Sequence, residues 1–429
     1  MKKTEVLGYS EALDFIGSVS WKGSVPGLER IAALCRLLGH PEREVKFVHV
    51  AGTNGKGSVS AMISSMLSAS GYRTGTFTSP HLVDYTERIS VDGEDISRED
   101  FARAAATVKD AARDMEDAPT EFEILTAMAL VHFARVGCDA AVLECGMGGR
   151  LDATNIIPSP LVSVITNIAL DHTAILGDTE VKIAREKAGI IKTSPVVLGA
   201  SSPQVKECIF EVCERAGVTL YDPHDTKIEF LHLTSEGLCF RYRGIQMTLP
   251  LVGEYQRTNL ATALTALEVL ESSGLRIDSS SLKHGIECVR WRGRFEILSS
   301  SPVVIFDGAH NPDGAKLTAD TFESLYPGRR AVLLTGVMAD KDHRGIASEL
   351  SRVASRVITV SPDNSRALDA AEYALDYRAL WLDAEPYSDV SAAVGHALSL
   401  ASESGAHVLC SGSLYMYSDI LRAVRGNIS

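Results

Sequence analysis

No uninterrupted apolar run in these 429 residues approaches the ~18 that a membrane-spanning helix needs. The first fifteen residues carry two lysines, Lys2 and Lys3, but no apolar core of a signal peptide behind them, so the expected location is the cytoplasm. Paired cysteines are missing too. The eight cysteines, at 35, 138, 145, 208, 213, 239, 288 and 410, form no CxxC pair and stand beside no histidines at zinc-finger spacing. They read as reduced thiols, mostly in the core. There is no basic excess: 42 Lys and Arg against 55 Asp and Glu leave a net charge of −13, which argues against a broad nucleic-acid surface. A small anionic ligand is not excluded, because it needs only a local cluster of donors. Repeats and low-complexity tracts are absent. The chain is too long for one ordinary core, and two domains are expected.

What is present is an alternation of strands and helices. Val45–Ala51 reads as a short apolar strand, and Ser58–Ser70 as a helix with Val59, Met62, Ile63, Met66 and Leu67 on one face and Gly71 closing it. Further strands are predicted at Arg73–Thr78, Ala140–Glu144, Leu161–Ile168 and Val196–Gly199, with a helix over Phe122–Val136. Such near-continuous apolar runs suggest a parallel sheet covered on both faces, an α/β doubly wound architecture. Ile228–Leu233, Leu238–Arg243 and Ile245–Leu251 are closely spaced and predict a small antiparallel addition to that sheet, followed by a helix from about Gln256 to Ser273. Beyond Trp291–Glu296 the alternation resumes at Val303–Phe306, Ala331–Val337, Arg356–Val360 and His407–Cys410. The expected division is therefore 1–296 for a larger first domain and 297–429 for a smaller, Rossmann-like α/β domain.

The strongest chemical signal is Gly52-Thr53-Asn54-Gly55-Lys56-Gly57-Ser58, between a strand and an amphipathic helix. Glycines let the backbone curl so that several N–H groups point at one phosphate, and the helix N-terminus adds partial positive charge. Lys56 supplies a full charge, and the Ser58 hydroxyl can reach a metal on the phosphates. The loop departs from the commonest P-loop, because Gly57 separates the lysine from the serine.

In an open parallel sheet, ligands collect at the carboxyl ends of the strands. Glu144 terminates Ala140–Leu143 and is placed to hold Mg²⁺ directly or through water. Asp171-His172 follows the strand ending at Ile168, and Ser79-Pro80-His81 follows the strand ending at Thr78. A lone histidine is more often structural, and an acid after an apolar strand is functional about as often as not; three strand ends of this kind together point to a site. In the second half, Asp307-Gly308-Ala309-His310-Asn311-Pro312 repeats the pattern. Asp307 suits a ribose hydroxyl, with an Asp turn and helix cap as the alternative. Arg294 is a candidate phosphate clamp, because guanidinium forks onto phosphate oxygens. Ser411-Gly412-Ser413 is a weaker feature of the same type.

With those residues in place, the chain resembles the folylpolyglutamate synthase/dihydrofolate synthase branch of the Mur ligase superfamily nearly end to end. The resemblance rests on the GTNGKGS loop, Thr78-Ser79-Pro80-His81-Leu82, Tyr85-Thr86-Glu87-Arg88-Ile89, Gly148-Gly149-Arg150-Leu151-Asp152-Ala153-Thr154-Asn155, Leu170-Asp171-His172, Arg185-Glu186-Lys187-Ala188-Gly189 and Asp340-Lys341-Asp342. It implies an ATP-dependent, amide-forming ligase of folate biosynthesis and one-carbon metabolism. Its substrates would be ATP, L-glutamate and a folate or dihydropteroate, with one or two Mg²⁺ ions and K⁺ as a further candidate. No nucleic-acid or membrane partner is implied, and the chain would act as a monomer.

Position by position, the resemblance places Lys56 and its loop at the ATP phosphates and gives Ser58, Ser79, Glu144 and His172 to Mg²⁺. Asn259, Arg294 and Asp307 would contact the nucleotide. Thr120, Glu121, Phe122 and Glu123 match the pterin-binding stretch, with Leu151, Asp152 and Ala153 lining the same site and His81 and Arg88 beside it. His310 would lie near ATP or the incoming glutamate. Lys187 matches a lysine that is carbamylated in this family and helps hold a second Mg²⁺; by itself it would read as a solvated helix lysine.

The expected chemistry is activation of the acceptor carboxylate as an acyl phosphate, then attack by the glutamate amine, with closure of the second domain completing the site. A muramyl-peptide ligase would share this chemistry but carry an additional N-terminal domain, and the roughly 50 residues ahead of the loop are below the usual domain size. A nucleotide-dependent switch lacking chemistry would need the loop but not Glu144, His172, Lys187 and Asp307 together.

Overall fold

The computed structural model describes residues 7–23 and 25–428, so Lys2 and Lys3 lie outside the described residues. The strands are β1 Lys46–Ala51, β2 Thr74–Phe77, β3 Ile89–Val91, β4 Glu94–Asp95, β5 Ala140–Glu144, β6 Val162–Asn167, β7 Val196–Ala200, β8 Leu220–Tyr221, β9 Ile228–Thr234, β10 Gly237–Tyr242, β11 Ile245–Leu249, β12 Glu296–Ser300, β13 Val303–Asp307, β14 Ala331–Thr335, β15 Ala354–Val360, β16 Ala384–Tyr387 and β17 His407–Ser411.

The chain forms two compact units. The first comprises Thr173–Lys227 and Thr258–Val289 together with the described residues up to Ala169. Its sheet has the order β4-β3-β2-β5-β1-β6-β7-β8. All pairings from β2 to β8 are parallel, while β3 and β4 run antiparallel at one edge. β1 is central, buried from Phe47 to Ala51. The continuous apolar runs of β1, β5 and β6 follow from this position, since helices cover both faces. Helix Glu121–Val136 is buried along most of its length because it packs into one of those layers, with Phe133 lying against Gly75 of β2.

The second unit comprises Leu170–His172, Ile228–Arg257 and Arg290–Ser429. Its six-stranded sheet has the order β12-β13-β17-β14-β15-β16, parallel except for β12. Val304, Ile305 and Phe306 of β13 are buried, as are Val332 to Leu334 of β14, so this unit has its own core. The expected boundary at 296/297 and this grouping differ: residues 170–172, 228–257 and 290–296, assigned from sequence to the first domain, group with the second unit.

The three strands read as an addition to the parallel sheet form instead a separate antiparallel sheet, β11-β10-β9. Among the described residues, β10 pairs with β9 on one side and β11 on the other, and neither outer edge of this sheet is hydrogen-bonded to a further named strand. Sequence reading also missed β3, β4, β8, β12 and β16. Pro386 lies within β16, and proline is tolerated in a strand only at a sheet edge, which is where β16 sits. All eight cysteines are free, and seven are buried; Cys288 is exposed. Among the described residues no helix is long and apolar enough to cross a membrane.

Candidate active site

Each unit carries part of the predicted constellation at the carboxyl ends of its parallel strands. In the first unit, β1 runs into Gly52 and the helix Lys56–Ala69 begins at the end of the glycine loop. Gly55 caps that helix with φ 83°, a left-handed conformation that favours glycine, and a Cβ there would also lie 2.4 Å from the Asn259 amide oxygen. The first intrahelical bond runs from Val59 N–H to the Gly55 carbonyl. The N–H groups of Lys56, Gly57 and Ser58 precede it, as anion-binding donors at a helix start do.

The loop's shape is fixed from β6. Asn167 accepts the Thr53 N–H with its carbonyl at 2.9 Å and the Asn54 N–H with its side chain at 2.6 Å. The Thr166 hydroxyl donates to the Asn54 carbonyl at 2.6 Å, and the Thr53 hydroxyl donates to the Ala169 carbonyl at 3.1 Å. Thr53 and Asn54, expected to bind nucleotide, therefore spend these groups on holding the loop. The Lys56 ammonium folds back onto the carbonyls of Gly52 and Thr53, both at 3.1 Å.

The Ser58 hydroxyl is buried and has no hydrogen-bond partner among the described residues. An orphaned buried hydroxyl costs about 1–3 kcal/mol, so a missing ligand explains it better than packing does. Glu144, buried at the end of β5, sits in register with Val50 of β1, two residues before the loop, and accepts the Ser79 N–H at 3.2 Å. Among the described residues no group of three or more His, Cys, Asp or Glu is poised to hold a metal. A hydroxyl and one carboxylate nevertheless fit Mg²⁺, which is usually bound by one or two carboxylates plus substrate phosphates. Lys187 is buried at 3% exposure, not solvated as its sequence context suggested, and its ammonium donates to the Gly52 carbonyl at 2.6 Å.

The stretch matched to pterin binding divides into two groups. Thr120 and Glu123 form a capping box at the start of helix Glu121–Val136: Thr120 N–H donates to the Glu123 carboxylate at 2.7 Å and Glu123 N–H to the Thr120 hydroxyl at 3.3 Å. Glu123 also holds Arg30 at 3.0 Å. By contrast, Glu121 joins a cluster with His81, Tyr85 and Arg88, while Phe122 packs against Phe77. The Tyr85 hydroxyl donates to Glu121 at 3.1 Å, and the His81 and Tyr85 rings lie 4.1 Å apart. Phe122 lies against Gly146, where a Cβ would come within 2.7 Å of its ring. Arg88 Nε donates to His81 Nδ1 at 2.9 Å, which makes that nitrogen an acceptor and the imidazole neutral. Burial, and then Arg88, push the His81 pKa down to about 4, in agreement.

Leu151, Asp152 and Ala153 are built into the fold. Leu151 accepts the Gly27 N–H with its carbonyl, and Ala153 is buried in the core. Asp152 accepts the Met147 N–H at 2.9 Å and the Thr154 hydroxyl at 2.5 Å, and Thr154 meets His49 of β1 at 2.8 Å. This buried chain ties the turn after β5 to the strand that carries the loop. Sequence reasoning missed His49 and Thr154, which had no motif to mark them as a pair.

In the second unit, Asp307 ends β13 with both oxygens engaged. They accept the Tyr255 hydroxyl at 3.0 Å, Phe295 N–H at 2.8 Å, Ala309 N–H at 2.9 Å and the Thr318 hydroxyl at 2.9 Å. Four donors fill the lone-pair sites of a carboxylate. Arg294, between Gly293 at φ 71° and Phe295 at φ 42°, is presented by the turn that Asp307 holds.

A second cluster gathers around Asp171. Lys341 reaches it at 2.5 Å, His172 N–H donates to it at 2.8 Å, and the Asn311 amide donates at 3.3 Å. His310 Nε2 lies 3.8 Å away, while its Nδ1–H donates to the Gly308 carbonyl at 2.9 Å. His172, expected at the metal, has φ 49° and turns Nε2 toward Lys341 at 3.5 Å. Burial, and then Lys341, push the His310 pKa down to about 4, so it is neutral at pH 7. Burial pushes the Asp171 carboxyl up, but His310, Lys341 and His172 outweigh it and hold the group well below the usual carboxylate range. At neutral pH Lys341 supplies the standing charge. Lys341 was visible in sequence only as part of a matched motif.

Residues 50–267 match the family described as Mur ligase middle domain, and residues 293–414 match Mur ligase, glutamate ligase domain. The chain is 35% identical over 434 residues to the dihydrofolate synthase/folylpolyglutamate synthase of Bacillus subtilis, covering 97% of this chain and 99% of that protein. It is similar to the solved structure of Escherichia coli FolC in complex with DHPP and ADP, at TM-score 0.85 and 31% identity over 99% of each chain. It is also similar to the bifunctional folylpolyglutamate synthase/dihydrofolate synthase of Yersinia pestis complexed with AMPPNP and Mn ion, at TM-score 0.84 and 30% identity, covering 99% of this chain and 100% of that one.

Proposed function

This chain belongs to the folylpolyglutamate synthase/dihydrofolate synthase family of Mur ligases, and from that premise we propose that it joins L-glutamate to the carboxylate of a folate, and also of dihydropteroate, at the expense of ATP. The observation that carries the reading is the glycine loop at the end of β1, with Lys56 folded over it and the buried Ser58 hydroxyl left without a partner.

In the proposed reaction an acceptor carboxylate oxygen attacks the γ-phosphorus of ATP, and the bond to the ADP oxygen breaks. The glutamate amine nitrogen then attacks the acyl phosphate carbon. The resulting tetrahedral species expels phosphate, and the nitrogen loses a proton. Lys56 and the helix N-terminus hold the phosphates and oppose their charge. Asn259 and Arg294 contact the nucleotide, and Asp307 reaches it in exchange for one of its four internal donors. Glu121, Phe122, His81 and Arg88 line the acceptor, with neutral His81 offering its Nε2–H; Thr120, Glu123, Leu151, Asp152 and Ala153 shape the same region from behind. His310 serves ATP or the incoming glutamate. Ser58, Ser79, Glu144 and His172 would hold Mg²⁺, with Lys187 for a second ion; such a metal neutralises charge on the transferring phosphoryl group. The substrates place the reaction in the cytoplasm, and the chain acts as a monomer.

ADP release tests this directly. It should require glutamate and an acceptor together, with both tetrahydrofolate and dihydropteroate effective. Release with tetrahydrofolate alone would reduce the activity to chain extension, and release with neither acceptor would overturn the reading.

Lys187 is proposed to carry a carbamate, formed when its neutral amine adds to CO₂ and loses a proton. The modified nitrogen keeps one N–H for the Gly52 carbonyl, and the group becomes an anionic oxygen ligand of the kind hard metals prefer. Protein equilibrated with ¹³C-bicarbonate should show a carbamate resonance that Lys187→Ala abolishes together with activity. Full activity from protein carrying the free amine would sink the assignment.

A further inference from the structure

The second unit contains a cleft of about 580 Å³ at the end of its sheet remote from Asp307. Val303 begins β13 and His407 begins β17, and both line the cleft, whereas Asp307 and Ser411 end those strands. At about 3.3 Å per residue the two ends are roughly 13 Å apart. The volume falls within the ordinary range for a small-molecule pocket.

The walls follow from the sequence. Helix Pro312–Leu325 starts just beyond the carboxyl end of β13 and runs back, so that its last residue, Leu325, arrives at the amino ends. Tyr326-Pro327-Gly328-Arg329 then turns tightly, with Arg329 N–H bonded to the Tyr326 carbonyl at 3.0 Å and Gly328 at φ 74°. Proline followed by a glycine of positive φ is the pairing a type II turn needs. The turn sets Arg329 at the mouth. Inside, Ile297, Val303 and Leu325 are apolar, and the rings of Tyr326 and His407 meet edge to face at 4.4 Å.

The charge balance is unlike that of the rest of the molecule. The chain has a net charge of −13, yet no carboxylate lines this cleft. The Arg329 guanidinium has no acidic partner among the described residues. Burial and then Arg329 lower the His407 pKa, and burial raises that of Tyr326, so both rings are neutral near pH 7 and Arg329 is the single full charge. The helix C-terminus nearby contributes about half a negative charge at most, less than the guanidinium supplies.

We propose that this cleft binds a small organic carboxylate bearing one aromatic ring, held at the carboxylate by Arg329 and at the ring by Tyr326 and His407. A carboxylate accepts two parallel N–H bonds from one guanidinium, and a planar ring suits the aromatic wall better than a flexible chain. The site is separate from the one assigned to ATP and the acceptor, so its test does not depend on that reading.

The probe is benzoate, with benzamide as its uncharged counterpart, titrated by calorimetry into the full chain and followed by ligand-observed NMR. Benzoate should bind saturably in the millimolar range and at least tenfold more tightly than benzamide. Arg329→Gln should remove that preference, Arg329→Lys should retain part of it, and Ser235→Trp, at the rim, should block both probes. The thermal unfolding temperature without benzoate should be unchanged in all three variants, which establishes that they are folded. Lys56→Ala should leave benzoate binding unchanged. No saturable binding in that range, equal affinity in Arg329→Gln, or loss of binding in Lys56→Ala would each overturn the proposal.

Discussion

Replacing Lys56 by alanine is expected to lower kcat by about 10²–10³-fold, the usual cost of deleting one preorganised group aimed at developing charge, while leaving the unfolding temperature nearly unchanged. The two halves of this expectation come from different bonds. The ammonium is a cation set over the loop by the Gly52 and Thr53 carbonyls, and alanine removes both the charge and those two bonds. The loop's shape is held independently by Asn167, Thr166 and the Thr53 hydroxyl, none of which involves Lys56. Steady-state ADP release alongside thermal unfolding checks both halves. Activity within a few-fold of the parent would contradict the role given to the loop. A large drop in unfolding temperature would show instead that the lysine holds the loop together.

Asp171→Asn should destabilise the protein by about 3–5 kcal/mol at pH 7, because it strands a buried cation. Lys341 and Asp171 have side chains only 11% and 8% exposed. The neighbours that would remain, His172 and His310, are imidazoles that accept weakly or carry like charge when protonated. The pH dependence follows from the sign of the shift. Asp171 is held below the usual carboxylate range in the folded chain, so its contribution is fully present above the unfolded value of about 3.9 and is lost as pH falls from there toward the folded value. The parent should therefore lose part of its advantage over the variant only in strong acid. Calorimetric unfolding of both proteins, at pH 7 and in steps below pH 4, measures this. Equal stability at pH 7 would mean that the Lys341 ammonium finds another acceptor when the carboxylate is gone.

Much of the fold was legible because local periodicity and burial coincide. Ala140–Glu144 was read to the residue, and β1, β6, β7 and β13 to within one or two, since strands covered on both faces are nearly continuous apolar runs. The strands that escaped, β3, β4, β8, β12 and β16, lie at or next to sheet edges and are short or carry exposed or polar positions, where the pattern fades. The separation of the β9–β11 sheet was illegible for a different reason. Three closely spaced strands predict that they pair with one another, but not whether a larger sheet lies beside them.

The linear order of residues determined by itself that a phosphate-gripping turn stands between a buried strand and a helix, and that acids and histidines recur at strand ends. Those features depend on neighbours in the chain. Tertiary structure alone decided how the residues of each motif divide between chemistry and scaffolding. Glu123 became a helix cap and a partner for Arg30, while Glu121, two residues earlier, faces Tyr85. Lys187 turned from a surface-like lysine into a buried donor on the Gly52 carbonyl, 135 residues away. The reason is that a side chain's role is set by which donors and acceptors arrive from distant segments to meet it, and no spacing along one segment encodes that arrival.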